Sequence, residues 1–345
     1  MTPARARFGG VLATGLLDVT SDPRALDGTG WWAVVAPYDS APVFARFADV
    51  TTAGAGGGAW CGPAPDAWRS SMTREQYVAA VEHVRARIAA GDVYQANVCR
   101  VLEADLPDDG AGDVAGLAAL LAVGNPAPFG GYVRLPAGCH PSVPAGGLAV
   151  ATASPELFLR RDGDVVESGP IKGTGRTEAD LSPKDRAENV MIVDLVRNDL
   201  GAVCRTGSVS VPSLLAVEEH PGVVHLVSYV RGELREDAGW ADVLAATFPP
   251  GSVTGAPKSS ALRIIDEVEL APRGPYCGAV GWVDADRRTA ELAVAIRTFW
   301  VSDGVVRFGT GAGITWGSDA AAEWDETELK AATLLRVASG STAAT

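Results

Sequence analysis

Apolar positions along this chain switch between two periods, and the switches mark out its elements. From Thr73 a helical period begins: Tyr77, Val81, Val84 and Ile88 fall on one face, and Gly91 ends the run. Thr73 with Gln76 three residues on is a capping box, in which each side chain satisfies the other's backbone N–H. An extended run, Tyr94–Leu102, follows. Helical spacing returns over Ala115–Val123, and the Asn125–Phe129 turn leads into a strand, Tyr132–Leu135. Leu148–Ala153 and Leu157–Arg161 read as strands on either side of Ser154-Pro155-Glu156. Asp162-Gly163 signals a hairpin that returns through Asp164–Ser168 to Lys172.

The second half continues in the same manner. Ser182 as N-cap with Pro183 at the first helical position opens a long helix through Asp199, stopped by Gly201. Val209–Leu215 and Val224–Arg231 predict strands, Ala241–Phe248 a helix, and Lys258–Glu269 another. Gly278–Val283 and Ala290–Phe299 predict a hairpin across the charged tip Asp284–Arg288. Val305–Thr310 runs into a glycine loop at Gly311–Gly313, and the last helix covers about Ala320 to Val337. Before Thr73 only short strands, Trp31–Pro37 and Val43–Phe47, and the Gly-rich segment Gly54–Gly58 stand out. Many hairpins and no regular βαβ repeat predict an α+β fold: a layered sandwich of two mainly antiparallel sheets flanked by helices. The expected organisation is a shortened N-terminal strand region (1–70) packing on a main domain (71–338), with a disordered tail (339–345).

Composition narrows the function classes. Forty-two acidic against 29 basic residues give a formal net charge of −13, which argues against a nucleic-acid or anionic-membrane surface. Five scattered cysteines without a C-x-x-C pair suggest neither a disulfide framework nor a zinc site. The longest apolar run is too short for a membrane helix, and Asp18 and Asp22 interrupt the N-terminal one, so no signal peptide is read there. A cytoplasmic protein is expected.

Candidate chemistry centres on Pro170-Ile171-Lys172-Gly173-Thr174. A lysine among apolar and small neighbours can be desolvated, which lowers its pKa and frees its lone pair as a nucleophile. The ordinary alternative is a strand-end lysine reaching water. Asp185 and Glu188 lie three apart on one helix, and Glu323, Glu326 and Lys330 are spaced three and four on another. Two such faces can hold a hard divalent ion, or simply be solvated. Gly311–Gly313 and Gly255-Ala256-Pro257 can turn backbone N–H groups toward an anion. Arg297, Gln95, His225 and Thr254 are polar residues in apolar surroundings. Arg297 in particular needs a partner, and a substrate carboxylate suits its fork.

These pieces occur in the order and with the local sequences of a known family. Ser154–Phe158, Pro170–Thr174, Asp185–Leu195, His225-Leu226, Gly255–Lys258, Arg273–Tyr276, Ala295–Thr298 and Gly311–Ile314 carry the likeness. From about Thr73 to Val337 the chain resembles the chorismate-utilising enzymes: component I of anthranilate and of aminodeoxychorismate synthases, and the isochorismate and salicylate synthases. Lysine at 172, where most branches have alanine, and glutamine at 95, where the water-using branches have lysine, resemble the aminodeoxychorismate synthase branch.

The resemblance implies Mg²⁺ held by Glu188 and Glu326, with Asp185 and Glu323 nearby, against the ring carboxylate of chorismate. It further implies that Arg297, Tyr276 and the amides of Gly311, Ala312 and Gly313 take the enolpyruvyl carboxylate. Lys172 would attack ring C2 with Glu156 as general acid; His225 and Thr254 would orient groups at the site. Gln95 would mark ammonia as nucleophile, and Lys258 and Lys330 would add positive charge. No cysteine sits in a glutaminase-type elbow, so a separate glutamine amidotransferase subunit would supply the ammonia. Anthranilate synthase component I, or a non-catalytic subunit binding chorismate or tryptophan, are the alternatives. One residue departs from the common pattern: Gly175 follows Thr174 where arginine is usual.

Overall fold

The computed structural model describes residues 3–52, 58–107, 112–220 and 223–340. Most of the Gly54–Gly58 segment and of the expected tail therefore lies outside the described residues. Among the described residues there are six α-helices and eighteen strands. The N-terminal part holds β1 (Arg5–Phe8), β2 (Val11–Thr20), β3 (Trp31–Ala36), β4 (Val43–Thr52) and the short β5 (Arg69–Ser70). Helix α1 (Arg74–Ala89) starts at the Thr73–Gln76 capping box and buries Tyr77, Val81 and Val84, as the periodicity predicts. Then come β6 (Gln95–Asp105), α2 (Val114–Gly124), β7 (Phe129–Leu135), β8 (Leu148–Ser154), β9 (Leu157–Asp162), β10 (Val165–Gly169) and β11 (Ile171–Gly175).

Helix α3 (Pro183–Gly201) starts at Ser182, again with a capping box. It is followed by β12 (Ser210–His220), β13 (Val223–Glu233), α4 (Trp240–Thr247), β14 (Gly255–Ala256) and α5 (Lys258–Val268). The chain ends with β15 (Ala279–Asp284), β16 (Thr289–Val294), β17 (Thr298–Ser302), β18 (Val305–Ile314) and α6 (Ala320–Ala338).

The class is α+β, and every ladder between named strands is antiparallel. The ladders join all the strands into one continuous network, not two separate sheets. One half runs β6–β18–β17–β8–β7. The other runs β15–β16–β9–β10–β13. The N-terminal strands close the gap: β1 pairs with β7, β2 with β1 and β4, and β3 with β4 and β15. Residues 5–52 are thus the hydrogen-bonded connection between the halves, and no domain boundary falls at residue 70. Breaking that piece away would leave two rows of unpaired backbone groups.

The main core lies between these layers. It combines Trp31, Trp32, Phe44 and Phe47 from the N-terminal strands with Leu159, Val280 and Leu292 from the second half, and with Ile192, Val193 and Val196 of α3. On the other half, α2 and α6 cover Phe299, Phe308 and Ala151. Helices α3 and α6, the two acidic ones, therefore pack on different halves: α3 against β11 and β13, α6 against β18. No helix among the described residues is long and apolar enough to cross a membrane.

Candidate active site

The Lys172 stretch lies where the β11–β13 ladder loses its register. Ile171 pairs with Val227 and Thr174 with His225, and the register shifts between them. Gly173 makes this possible. Its φ is +89°, and a Cβ there would come within 2.8 Å of Asp185 Cβ at the start of α3. Only glycine tolerates both the left-handed backbone and that close approach. The irregularity leaves Lys172 largely buried, and burial lowers its pKa. The carboxylates of Glu188, Glu156 and Glu326 oppose that shift, while the ammonium of Lys330 adds to it. Five residues singled out in the sequence, from β11, the β8–β9 turn, α3 and α6, are thereby brought within electrostatic reach of one another.

Glu156 occupies the turn between β8 and β9, fixed by its neighbours. Ser154 Oγ donates to Val294 O (2.6 Å) and accepts from Glu156 N–H (3.2 Å). The Glu156 side chain is 4% exposed. Burial pushes its pKa up to about 7, against the counteracting Ser252 hydroxyl, Lys172 and the Ile171 N–H. Its Oε1 has no hydrogen-bond partner among the described residues. A carboxyl half-protonated near neutrality, with one oxygen uncommitted, is suited to general acid–base work. Nothing in the sequence pointed to Ser252.

The acidic faces of α3 and α6 meet across the start of α3. Lys184 Nζ lies 3.7 Å from Glu188 Oε1 and 3.9 Å from Glu323 Oε1. Glu323 is 7% exposed, and burial together with Glu326 raises its pKa. Glu326 pairs with Lys330 at 2.6 Å. No three His, Cys, Asp or Glu side chains among the described residues converge as a ready cage. A buried Glu323 facing a half-buried Glu188 across Lys184, with the exposed Glu326 beside them, nonetheless fits a hard cation that keeps oxygens from water or substrate, as Mg²⁺ does.

Asp185, expected beside the metal, does something else. Its Oδ2 accepts from Ser182 N–H (2.8 Å) and Ser182 Oγ–H (2.7 Å), closing the helix cap. Its partner is the N-cap serine, three residues earlier.

Three further expectations change in the same way. Lys258 donates to Asp199 Oδ2 (2.6 Å) and to Thr247 O (3.1 Å), so it ties α5 to α3 and α4 and offers no charge to a ligand. The hydroxyl of Thr254 donates back to Pro250 O (3.1 Å) and Gly251 O (3.3 Å), leaving only lone pairs for another group. Gly311, Ala312 and Gly313 are not in a loop. They extend β18 and pair with Cys99, Val98 and Asn97 of β6. The β17 ladder on the other edge stops at Phe308, so alternate backbone groups beyond it face away from β6 along an edge that β17 does not cover. Lys330 Nζ reaches Gly311 O at 3.1 Å, tying α6 to that edge.

His225 Nδ1 lies 2.9 Å from Thr174 Oγ1, which couples it to the strand carrying Lys172. Arg297 falls in the break between β16 and β17, not within the long strand expected there, and has φ +50°. Burial alone lowers its pKa; no carboxylate offsets the shift. Tyr276 lies against Gly309, where a Cβ would come 2.1 Å from its ring. Its phenol is fully buried among Cys277, Cys99 and Arg273, and burial drives its pKa up. Gln95 is buried with both amide atoms unpartnered among the described residues.

Comparison with known proteins places the chain in a family. Residues 61–336 match the family model described as chorismate binding enzyme. An anthranilate synthase component 1 of Haloarcula marismortui is 41% identical over 272 residues, covering 75% of this chain and 53% of that protein. The aminodeoxychorismate synthase component 1 of Klebsiella aerogenes is 40% identical over 274 residues, covering 76% and 57%. The chain thus spans a little over half the length of these curated relatives. Among solved structures, anthranilate synthase component I of Streptococcus pneumoniae superposes with a TM-score of 0.78 at 23% identity, covering 97% of this chain and 93% of that one. The menaquinone-specific isochorismate synthase of Escherichia coli gives 0.78 at 19%, covering 98% and 89%; both share the fold. With the family model matching most of the described chain, this protein belongs to the chorismate binding enzymes.

Proposed function

We propose that this chain acts as an aminodeoxychorismate synthase component I, converting chorismate and ammonia to 4-amino-4-deoxychorismate and water. The observation that carries the reading is Lys172: a lysine held largely buried, its pKa lowered, beside a Glu156 whose pKa is raised to about 7. Two titrating groups pushed toward one another can exchange roles as base and acid near neutral pH.

Neutral Lys172 Nζ forms a bond to ring C2, both ring double bonds shift, and the C4–O bond breaks. Protonated Glu156 gives its proton to the departing oxygen, so water leaves. The carboxylate then takes a proton from the alkylated ammonium. Ammonia next bonds to C4, the double bonds shift back, and the C2–N bond breaks. The proton lost by the new amine returns to Lys172 as it leaves, and the enolpyruvyl group stays on the product. Dividing one displacement into two is the benefit of a covalent nucleophile. Arg297, half-buried without an offsetting carboxylate among the described residues, would bind the enolpyruvyl carboxylate through its fork. Glu188, Glu323 and Glu326 would hold Mg²⁺, which when bound supplies positive charge for the ring carboxylate. Ammonia would come from a separate glutamine amidotransferase subunit.

Relatives named for anthranilate synthesis match at the same identity as those named for aminodeoxychorismate synthesis, so product identity is the deciding test. With chorismate, ammonium and Mg²⁺, the expected product is 4-amino-4-deoxychorismate without free pyruvate. Fluorescent anthranilate together with released pyruvate would overturn the assignment.

A further inference from the structure

Two short segments carry the chain from one half of the strand network to the other, and the site draws on both. Ser154-Pro155-Glu156 leads from β8 to β9, and Ala295-Ile296-Arg297 leads from β16 to β17. The β8–β17 ladder begins at Thr152 and Thr298, and the β9–β16 ladder ends at Leu157 and Ala293. Residues 153–156 and 294–297 therefore lie between the two ladders. Glu156 and Arg297 stand on these neighbouring crossovers, where neither ladder fixes the backbone.

The crossovers are tied to each other instead. Ala153 N–H donates to Arg297 O (3.0 Å), and Val294 N–H donates to Glu156 O (3.0 Å). Ser154 stands at the centre, fully buried. Its Oγ–H donates to Val294 O (2.6 Å), and its Oγ accepts from Glu156 N–H (3.2 Å). Val294 O also accepts from Ile296 N–H (2.7 Å), which closes the tight turn leading into Arg297. One carbonyl thus serves both turns, and the Ser154 hydroxyl joins them.

Arg297 needs that support. Its φ of +50° puts a non-glycine residue in the left-handed region, a conformation that persists only where the surroundings over-determine it. On the far side, Thr298 Oγ1 donates to Ile296 O (3.0 Å). With its proton spent there, it accepts from Thr152 Oγ1 at 2.8 Å. Pro155 has no N–H to contribute and biases Ser154 toward extended backbone, so the chain itself helps to aim the hydroxyl.

We infer that Ser154 is a positioning residue that fixes Glu156 and Arg297 relative to each other, so that the proton donor and the fork for the substrate's carboxylate meet one bound molecule together. This rests on the roles given to Glu156 and Arg297 in the proposed function. It adds a residue that acts through both of them.

The test follows chorismate consumption at saturating ammonium and Mg²⁺ in Ser154→Ala. Losing the hydroxyl should lower kcat and raise the chorismate KM, each about 10-fold or more, because small misplacements are amplified in rate. Ser154→Cys, similar in shape but a weaker donor, should lose less of each, and it replaces the alanine variant if that one does not fold.

Coupling separates positioning from mere stability. In a Glu156→Gln background, Ser154→Ala should lower kcat by less than about 2-fold further. In an Arg297→Met background it should raise KM by less than about 2-fold further, because the group it acts through is gone. Losses that multiply undiminished in both backgrounds would overturn the inference. So would kcat and KM within about 2-fold of wild type in Ser154→Ala itself, whatever happens to the melting temperature. Full turnover in both Glu156→Gln and Arg297→Met would sink the inference and the proposed roles together. Anthranilate as product would remove the proposed function alone, since the cycle reads chorismate consumed whichever product forms.

Discussion

Arg273 is buried and Arg297 half-buried, and the chain treats them in opposite ways. Arg273 donates through Nε and Nη2 to Glu269 (2.9 and 2.7 Å), through Nη1 to Val253 O (3.0 Å) and through Nη2 to Asn97 O (3.3 Å), and its guanidinium lies 4.3 Å from the ring centroid of Tyr38. Every face of that group is committed within the fold. Arg297 stands in a strand break with a left-handed backbone, and no carboxylate offsets the cost of its burial. Lys258 and Lys172 repeat the contrast, one bonded to Asp199 and the other held among several charges with its pKa lowered. Burying a charge is expensive unless it is paired. A fold keeps an unoffset one where a ligand completes it, and that is the physical distinction between support and site.

The largest effect should come from Lys172→Ala. Turnover of chorismate with ammonium should fall at least about 10³-fold, as when a covalent nucleophile is removed, and any adduct seen by intact mass should vanish. The melting temperature should hold or rise, because a desolvated cation has gone. Retained turnover would return Lys172 to the class of supporting lysines.

Glu156→Gln comes next, with a loss of about 10²–10⁴-fold. In the wild type the rate should decline on the alkaline side with a midpoint near pH 7, as the raised carboxyl loses its proton; the variant should lack that limb. The sign for stability follows from the same shift. The unfolded carboxyl titrates near 4.5 and the folded one near 7, so the folded state binds the proton more tightly. The stabilisation is complete below about pH 4.5 and is lost as pH rises through about 7, by at most roughly 3 kcal/mol. Denaturant titrations at pH 5 to 8 should therefore show the glutamine variant gaining on wild type as pH rises; a constant difference would contradict the raised pKa.

The two arginines supply the finest comparison. Arg273→Met should cost about 3–5 kcal/mol, because it strands Glu269 as an unpaired buried charge. Arg297→Met should change stability by less than about 1 kcal/mol and raise the chorismate KM about 10-fold or more. Equal losses of stability in the two variants would dissolve the distinction.

Much of this was legible in the chain. Thr73–Gln76 and Ser182–Asp185 announce α1 and α3 because a cap is a local contact. The Lys172 stretch and the carboxylates of α3 and α6 stand out because charge and helical spacing are local too. What failed to read out involved partners far away in sequence. Lys258 looks like a site residue until Asp199, on another helix, is seen to take it up. Gly311–Gly313 looks like a loop until ten residues of β18 are found in register with β6. Strand β1 is only four residues long and β2 carries no clean alternation, and the join between the halves depends on β1 meeting β7 and β3 meeting β15, partners more than 100 residues away.

The sequence by itself determined the elements, the fold class and the set of reactive side chains, because those depend on propensity, period and residue type. Only the tertiary structure decided which of those polar groups are used up inside the fold and which, like Glu156 Oε1 and Asn97 Oδ1, remain unpaired. Hydrogen-bond donors and acceptors find their partners through long-range packing and strand register, and neither is written in any one stretch of the chain.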